Sequence, residues 1–145
     1  MELNLFKHKT NIEIRFVDLD AFGHVNNANY LTYLENARVK YFDEVVDWKY
    51  DWSKQGIILA KAEIDFIIPV HFKDEIFVYT RCSRLGNKSF DLEYRIVRMF
   101  KSQEQLMADG ITVMVAYDYD AKKSIEIPEE WKAGLRKYEG ENMLS

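Results

Sequence analysis

The chain has 145 residues and a formal net charge of -4, and 48% of its residues are hydrophobic. This length predicts one domain over residues 1–145, with enough apolar side chains for a packed core. The acidic balance argues against a general nucleic-acid binder, which carries a basic surplus. No apolar run approaches the ~20 residues of a membrane-spanning helix, and no basic segment followed by an apolar run predicts a signal peptide.

Cysteine and histidine usage predicts neither a disulfide nor a metal site. Cys82 is the single cysteine, so no intrachain disulfide is possible. His8, His24 and His71 lie far apart in sequence, and no Cys/His cluster has the spacing of metal ligands. We therefore expect a cytoplasmic protein without a bound metal.

The predicted elements begin with a strand and a long helix. Ile12, Ile14 and Phe16 alternate with charged residues over 11–17, which predicts a strand. Apolar residues then recur at steps of three and four, which predicts a helix of roughly five turns near residues 28–46. The breadth of its apolar stripe predicts that one side of this helix is buried.

Four strands follow in short succession, over residues 56–68, 75–85, 89–100 and 108–119. Pro69 ends the first of them, and the pair Gly86-Asn87 predicts a hairpin turn between the second and third. Alternation places these residues of 56–68 on one face: Ile58, Ala60, Ala62, Ile64, Phe66 and Ile68. In the strand over 75–85 it places these on one side: Ile76, Val78, Thr80 and Cys82. In the strand over 89–100 it points these inward: Phe90, Leu92, Tyr94, Ile96 and Phe100.

The tail over residues 128–138 is predicted to be a short helix with Pro128 in its first turn. Strands joined by short turns run antiparallel. One antiparallel sheet with one long helix makes a two-layer α+β domain.

Polar residues crowd the connection between the first strand and the long helix, whose sequence is FVDLDAFGHVNNANY over residues 16–30. Backbone N–H groups in the first turn of a helix have no intrahelical partner and carry partial positive charge. Such an end suits the polarisation of a carbonyl group or the binding of an anion. Asn26 or Asn27 is expected to cap the helix, and Asp20 and His24 lie just upstream.

The same composition is also typical of an ordinary turn and cap. In that interpretation Asp18 pairs with Arg15 and supports the loop, and His24 is a loop histidine without a role in chemistry. The residues taken alone leave both interpretations open.

The segment DLDAFGHVNN, followed by Tyr30, resembles the signature of the 4-hydroxybenzoyl-CoA thioesterase family. The stretches NYLTYLENARVKYFDE, AEIDFIIPVHFKDEIFV and GNKSFDLEYRI extend the resemblance over roughly residues 12–117. The loop is also similar to that of plant acyl-ACP thioesterases. The resemblance implies a hotdog fold, in which an antiparallel sheet of about five strands wraps one long helix, and it implies hydrolysis of an acyl thioester without a cofactor.

The resemblance also implies roles for loop residues. Asp20 matches the catalytic carboxylate, which either attacks the thioester carbonyl or activates a water. Backbone amides near Asn27 match the group that polarises this carbonyl, and the Asn27 side chain replaces a histidine of some members, so it can orient a water but cannot transfer a proton. His24 matches a histidine of the acyl-ACP relatives and either aids proton transfer or shapes the loop. Phe22 departs from the asparagine of those relatives.

Binding residues and partners are implied in the same way. Tyr30 is expected in the core or the pocket wall. Arg84 and Lys88 either meet the CoA phosphates or are simply solvated, and Ser89 either hydrogen-bonds the pantetheine arm or begins a strand. The expected substrate is an acyl-CoA or an acyl-ACP, and the expected assembly is a homodimer or homotetramer with sites between subunits. A third possibility is a hotdog protein that binds acyl thioesters without hydrolysing them.

Overall fold

The computed structural model describes residues 2–46 and 54–144. The elements are β1 (His8–Ile12), α1 (Asn27–Val45), β2 (Gln55–Phe66), β3 (Ile76–Leu85), β4 (Ser89–Phe100), β5 (Gln103–Asp118), β6 (Lys123–Ser124) and α2 (Glu129–Glu139), with 3-10 turns at Leu3–Leu5, Phe16–Asp18 and Gly140–Asn142. The predicted succession of strand, long helix, four strands and helix is confirmed. The strands form one antiparallel sheet in the order β1-β3-β4-β5-β2, with β6 paired to β5.

One hydrophobic core joins α1 to the inner face of the sheet. Most of the predicted stripe of α1 is buried, including Leu34, Ala37 and Tyr41, but Leu31, which the stripe also contains, is 42% exposed. The shared side predicted in β3 is also confirmed, since every second residue from Ile76 to Cys82 is buried. α1 therefore packs along the inner face of the sheet, and the N-terminus of α1 lies at one end of the sheet.

The first strand ends earlier than its alternation predicts. β1 stops at Ile12, while Phe16 and Val17 are 79% and 75% exposed within a 3-10 turn. The carboxylate of Asp18 accepts a hydrogen bond from the backbone N–H of Arg15 at 3.0 Å, and this local bond replaces a strand ladder. The alternating residues beyond Ile12 therefore lie in the segment that leads into the loop before α1, and not in a strand.

The prediction that Ile58 lies on the same face of β2 as Ala62 and the later residues is wrong. A β-bulge between Leu59 and Lys61 leaves Ala60 without a partner in the ladder. Because one extra residue reverses the alternation, Ile58 and Ala62 point to opposite faces of the sheet. Periodicity alone does not reveal such a bulge.

Phe100 is also predicted wrongly, since it is 46% exposed. It lies at the end of β4, beyond the pairing of Ile76 with Arg98 that begins β3. The tight turn that follows holds Lys101 and Ser102 at positive φ values of 52° and 63°. α2, in contrast, is close to its prediction, with Pro128 as its N-cap residue.

Candidate active site

A tight turn presents Asp20 just before α1. The backbone N–H of Asp20 donates to the carbonyl oxygen of His24 at 2.8 Å, and Leu19 and Val25 form an antiparallel bridge behind it. Gly23 closes the turn with its N–H on the carbonyl oxygen of Asp20 at 3.1 Å. The φ of Gly23 is +82°, which glycine adopts without strain. The loop is thus a small hairpin with a defined backbone.

The carboxylate of Asp20 is oriented by this turn. Its Oδ1 atom accepts hydrogen bonds from the backbone N–H groups of Phe22 at 2.9 Å and His24 at 3.3 Å. Within residues 2–46 and 54–144, Oδ2 of Asp20 makes no hydrogen bond. One oxygen is therefore held by the protein and the other is available to a substrate or a water.

Asp18 anchors the loop through its buried carboxylate. Its carboxylate is fully buried and accepts hydrogen bonds from Arg15 Nη2 at 2.7 Å and from the Tyr33 hydroxyl at 2.7 Å. Burial alone would raise the pKa of Asp18, but the hydrogen bonds from Arg15 and Tyr33 bring it below its ordinary value. The expected pairing of Asp18 with Arg15 is confirmed, and both carboxylate oxygens are occupied.

The start of α1 leaves one backbone donor open. Asn26 is the cap, and its Oδ1 accepts from the N–H of Ala28 at 2.9 Å. The N–H of Asn29 donates to the carbonyl oxygen of Asn26 at 2.9 Å. Among the described residues nothing accepts the N–H of Asn27. This donor is at the positive end of the helix dipole, and Asn27 lines the same cleft as Asp20.

The cleft has a volume of about 310 Å³. Tyr30, which is only 2% exposed, packs edge-on against Phe66 with ring centroids 5.0 Å apart. Burial raises the pKa of Tyr30, so its hydroxyl stays protonated. The full lining consists of Asp20, His24, Val25, Asn27, Tyr30, Phe66, Ile67, Ile68 and Pro69. Four of the predicted site residues, from Asp20 to Tyr30, therefore meet in one place.

His24 has a neighbour that sequence reasoning missed. His24 and His71 form an isolated backbone bridge, and their rings lie perpendicular with centroids 4.8 Å apart. The wall formed by residues 66–69 was missed as well. The only sequence signal was the corner after Pro69, which lies inside the family-like stretch but carries no pairing information.

The predicted CoA-binding residues lie elsewhere in the chain. Arg84 Nη2 donates to Ser89 Oγ and to Asp91 Oδ1, each at 2.9 Å, in the hairpin between β3 and β4. Lys88 is exposed at the same turn. This hairpin is at the opposite end of the sheet from the cleft, about 20 Å along the strands at ~3.3 Å per residue. One chain does not bring Arg84, Lys88 and Ser89 to Asp20.

Two further sequence expectations concern Cys82 and metals. Cys82 is fully buried, and burial raises the pKa of its thiol to about 12, as expected for a core residue rather than a nucleophile. In the described part of the chain no three side chains of His, Cys, Asp or Glu are grouped to hold a metal. None of the helices described over 2–46 and 54–144 is long and apolar enough to cross a bilayer.

Comparison with known protein families shows to which family the chain belongs. The family described as the thioesterase-like superfamily matches residues 14–135. This range covers most of the chain, including the loop, α1 and the whole sheet beyond β1. The chain belongs to the thioesterase-like superfamily.

Individual proteins agree with this assignment. The long-chain acyl-CoA thioesterase FadM of Escherichia coli (strain K12) is 25% identical over 88% of this chain and 96% of its own length. A crystal structure of a thioesterase from Thermus thermophilus, complexed with coenzyme A and Zn, is 31% identical with a TM-score of 0.80, over 97% of this chain and 98% of that one. A 4-hydroxybenzoyl CoA thioesterase structure matches with a TM-score of 0.81 over 88% and 97% of the chains, at 20% identity. The predicted hotdog fold is confirmed.

Proposed function

We propose that this protein is an acyl-CoA thioesterase that hydrolyses the thioester bond and releases a free acid and CoA. The observation that carries the proposal is a cleft lined by both Asp20, whose carboxylate is oriented by the loop, and Asn27, whose backbone N–H is unpaired among the described residues. Family membership and the acyl-CoA thioesterases among its relatives support the same reaction. We further propose that residues 1–145 form a single hotdog domain, which the continuous core supports.

In the proposed mechanism the thioester carbonyl oxygen accepts the N–H of Asn27, which stabilises the negative charge that develops there. Asp20 then acts in one of two ways. As a base it takes a proton from a water whose oxygen attacks the carbonyl carbon. As a nucleophile it attacks that carbon itself and forms an anhydride, which water then hydrolyses. In both routes the C–S bond breaks and the CoA sulfur leaves as a thiolate that takes up a proton.

The remaining cleft residues have supporting roles in this proposal. The side chain of Asn27 orients the water, since an amide can bond a water but cannot exchange a proton with it. His24 moves a proton at the edge of the cleft, and Tyr30 forms the apolar wall with Phe66. The Asp18 anchor keeps Asp20 and the helix end in fixed relation, because its carbonyl oxygen accepts the N–H of Asn26 at 2.8 Å.

We propose that two copies pair through β2 to form a homodimer, which is also the unit from which a homotetramer would be built. β2 is at the edge of the sheet, and its apolar residues Ile58, Leu59 and Phe66 are 37%, 44% and 49% exposed. An open edge with exposed apolar side chains favours pairing with a second strand. The equivalent strand of a second copy, related by a two-fold axis, satisfies both requirements at once.

This pairing gives the distant hairpin a role. A two-fold axis makes the paired strands antiparallel, so the cleft end of one sheet meets the hairpin end of the other. The partner subunit's Arg84, the partner subunit's Lys88 and the partner subunit's Ser89 would then approach Asp20 of the first subunit. In this arrangement they bind CoA as predicted from the sequence, across the subunit boundary.

A carrier-bound substrate is the second candidate. The similarity of the loop to plant acyl-ACP thioesterases favours it, and the same cleft chemistry serves both donors. We also propose a role in fatty-acid metabolism, supported by the long-chain acyl-CoA thioesterase among the relatives. The proposed cytoplasmic location is supported by Cys82, which is buried and unpaired as in reducing compartments.

The proposal is tested by following thiol release from short-, medium-, long-chain and aromatic acyl-CoAs with purified protein. We expect turnover above background for at least one of these classes. Acyl-ACP of the preferred chain length is assayed in parallel. Much faster turnover of the CoA ester eliminates the carrier-protein version, and no turnover of any thioester contradicts the enzymatic function and leaves the binding protein.

A further inference from the structure

His71 lies beside His24, which lines the cleft, and the proposed mechanism gives His71 no role. It follows the corner after Pro69, and its backbone pairs with that of His24. Its ring meets the ring of His24 at 90°, with 4.8 Å between centroids. This is the edge-to-face geometry that aromatic rings prefer. The contact therefore joins the corner after β2 to the loop before α1.

The position of His71 is itself fixed by a chain of polar contacts. Asp74 Oδ2 accepts the backbone N–H of His71 at 2.9 Å, and the N–H of Asp74 returns to the carbonyl oxygen of His71 at 3.1 Å. Arg98 Nη1 on β4 holds Asp74 through contacts of 3.2 and 3.4 Å. The turn that carries His71 is therefore tied to the sheet and not only to the loop.

We infer that His71 is a positioning residue whose ring holds the imidazole of His24 in its working orientation at the cleft. The inference rests on the proposed function, because it needs His24 to act in the reaction. An imidazole at the edge of a cleft can turn about two side-chain bonds, and a neighbouring ring at a right angle restricts these rotations. Catalytic groups work when their rotamers are locked by such neighbours.

A purely structural role explains the contact less well. The His71 side chain is 56% exposed, so little apolar area is removed from water by its packing. The backbone bonds of the turn do not involve its imidazole and survive replacement of the side chain. The ring also lies near Asp74, with 4.0 Å between His71 Nδ1 and Asp74 Oδ2, but Asp74 already holds the turn through the backbone N–H of His71. What the ring adds beside the cleft is the edge-to-face contact with His24.

The test compares kcat and KM for acyl-CoA hydrolysis in four variants: His71→Ala, His71→Phe, His24→Ala and the double variant. We expect His71→Ala to lower kcat about tenfold with KM within about twofold of the wild type, as for a misplaced catalytic group. His71→Phe retains a ring and should stay within about threefold of wild-type kcat. In the His24→Ala background, His71→Ala should have no further effect, because a residue that acts only through His24 shows complete non-additivity.

Lys73→Ala, an exposed change in the same turn, is the matched control and should leave kcat unchanged. His71→Gln, which lacks a ring, should match His71→Ala and guards against poor folding of the alanine variant. The inference is overturned if His71→Ala leaves kcat unchanged, or if His71→Phe lowers kcat as much as His71→Ala does. It is also overturned if His71→Ala lowers kcat by the same factor in the His24→Ala background as in the wild type. An inactive wild type overturns the proposed function along with it, whereas an active wild type with an unaffected His71→Ala overturns the inference alone.

Discussion

Asp18 and Asp20 are two residues apart but lie in opposite environments. Asp18 is fully buried, with Arg15 and Tyr33 on its carboxylate, while Asp20 is half-buried with one oxygen unpaired. The sequence suggested a supporting role for Asp18 because Arg15 is close enough to pair with it. It could not show Tyr33, since that contact depends on how α1 lies over the loop.

The first prediction concerns Asp18. Replacing it with asparagine removes charge-assisted hydrogen bonds, so we expect Asp18→Asn to lower the free energy of unfolding by about 1–3 kcal/mol near neutral pH. Urea unfolding measures this difference. Asp120→Asn, the same change in an exposed turn, is the control and should stay within about 0.5 kcal/mol of the wild type.

The pH dependence of this difference follows from the lowered pKa of Asp18. A carboxyl with a depressed folded pKa adds stability above its unfolded value of 3.8, and this stability is lost as the pH falls through the folded value. The gap between wild type and Asp18→Asn should therefore be full at pH 5 and shrink below pH 3.8. A gap that stays constant in acid would show that ionised Asp18 does not stabilise the loop.

At the scale of elements, periodicity identified every long element but not its irregularities. α1 begins at Asn27 and ends at Val45, within one residue of its predicted range, because its buried stripe repeats without interruption. The prediction of a strand over 11–17 is wrong because Asp18 closes a local turn. The prediction of one shared face in β2 is wrong because Ala60 lies in a bulge. In the first case a side-chain hydrogen bond of Asp18 competes with the strand, and in the second one extra residue in the ladder reverses the alternation.

α2 illustrates a contact between elements that has no sequence signal. Its last residue, Glu139, is almost fully buried and accepts hydrogen bonds from the Tyr41 hydroxyl of α1 and from the N–H of Cys82 in β3 at 2.8 Å. Burial raises the pKa of Glu139 above its ordinary value of 4.5. The carboxyl thus links α2 to both α1 and the sheet.

The second prediction concerns Glu139. Because its folded pKa is raised, its favourable contribution is present below pH 4.5 and is lost as the pH rises through the folded value. Glutamine keeps an acceptor for both bonds but does not titrate. We therefore expect Glu139→Gln to gain stability relative to the wild type as the pH rises from 4.5 toward neutrality, measured by urea unfolding. The exposed Glu130→Gln is the control, and a pH-independent difference would contradict the assignment.

At the scale of the whole molecule, topology decides which residues meet. The loop before α1 and the corner after β2 are brought together, so that Asp20, Asn27 and Tyr30 face the wall at 66–69. Neither that wall nor the contact of His24 with His71 follows from sequence spacing, since both join segments that are distant in the chain. The separation of Arg84 from the cleft is the other consequence of the sheet order.

The third prediction concerns assembly. If two copies pair through β2, light scattering should give a mass that is a multiple of 17.2 kDa. Leu59→Glu places a charge on the exposed apolar edge and should shift the protein to its monomer mass, since burying an unpaired charge opposes pairing. Met99→Glu puts the same charge on exposed β4 and should not change the mass. A wild type that is monomeric at all concentrations would contradict the proposed dimer.

The central claim is that Asp20 is the catalytic carboxylate, and thiol release by Asp20→Asn tests it most directly. With the acyl-CoA that the wild type prefers, we predict a loss of kcat of at least about 100-fold, because asparagine can neither attack the carbonyl nor accept a proton. The thermal midpoint and binding of CoA should be unchanged, and the control Asp120→Asn should retain wild-type turnover. Wild-type turnover by a folded Asp20→Asn variant would contradict the account.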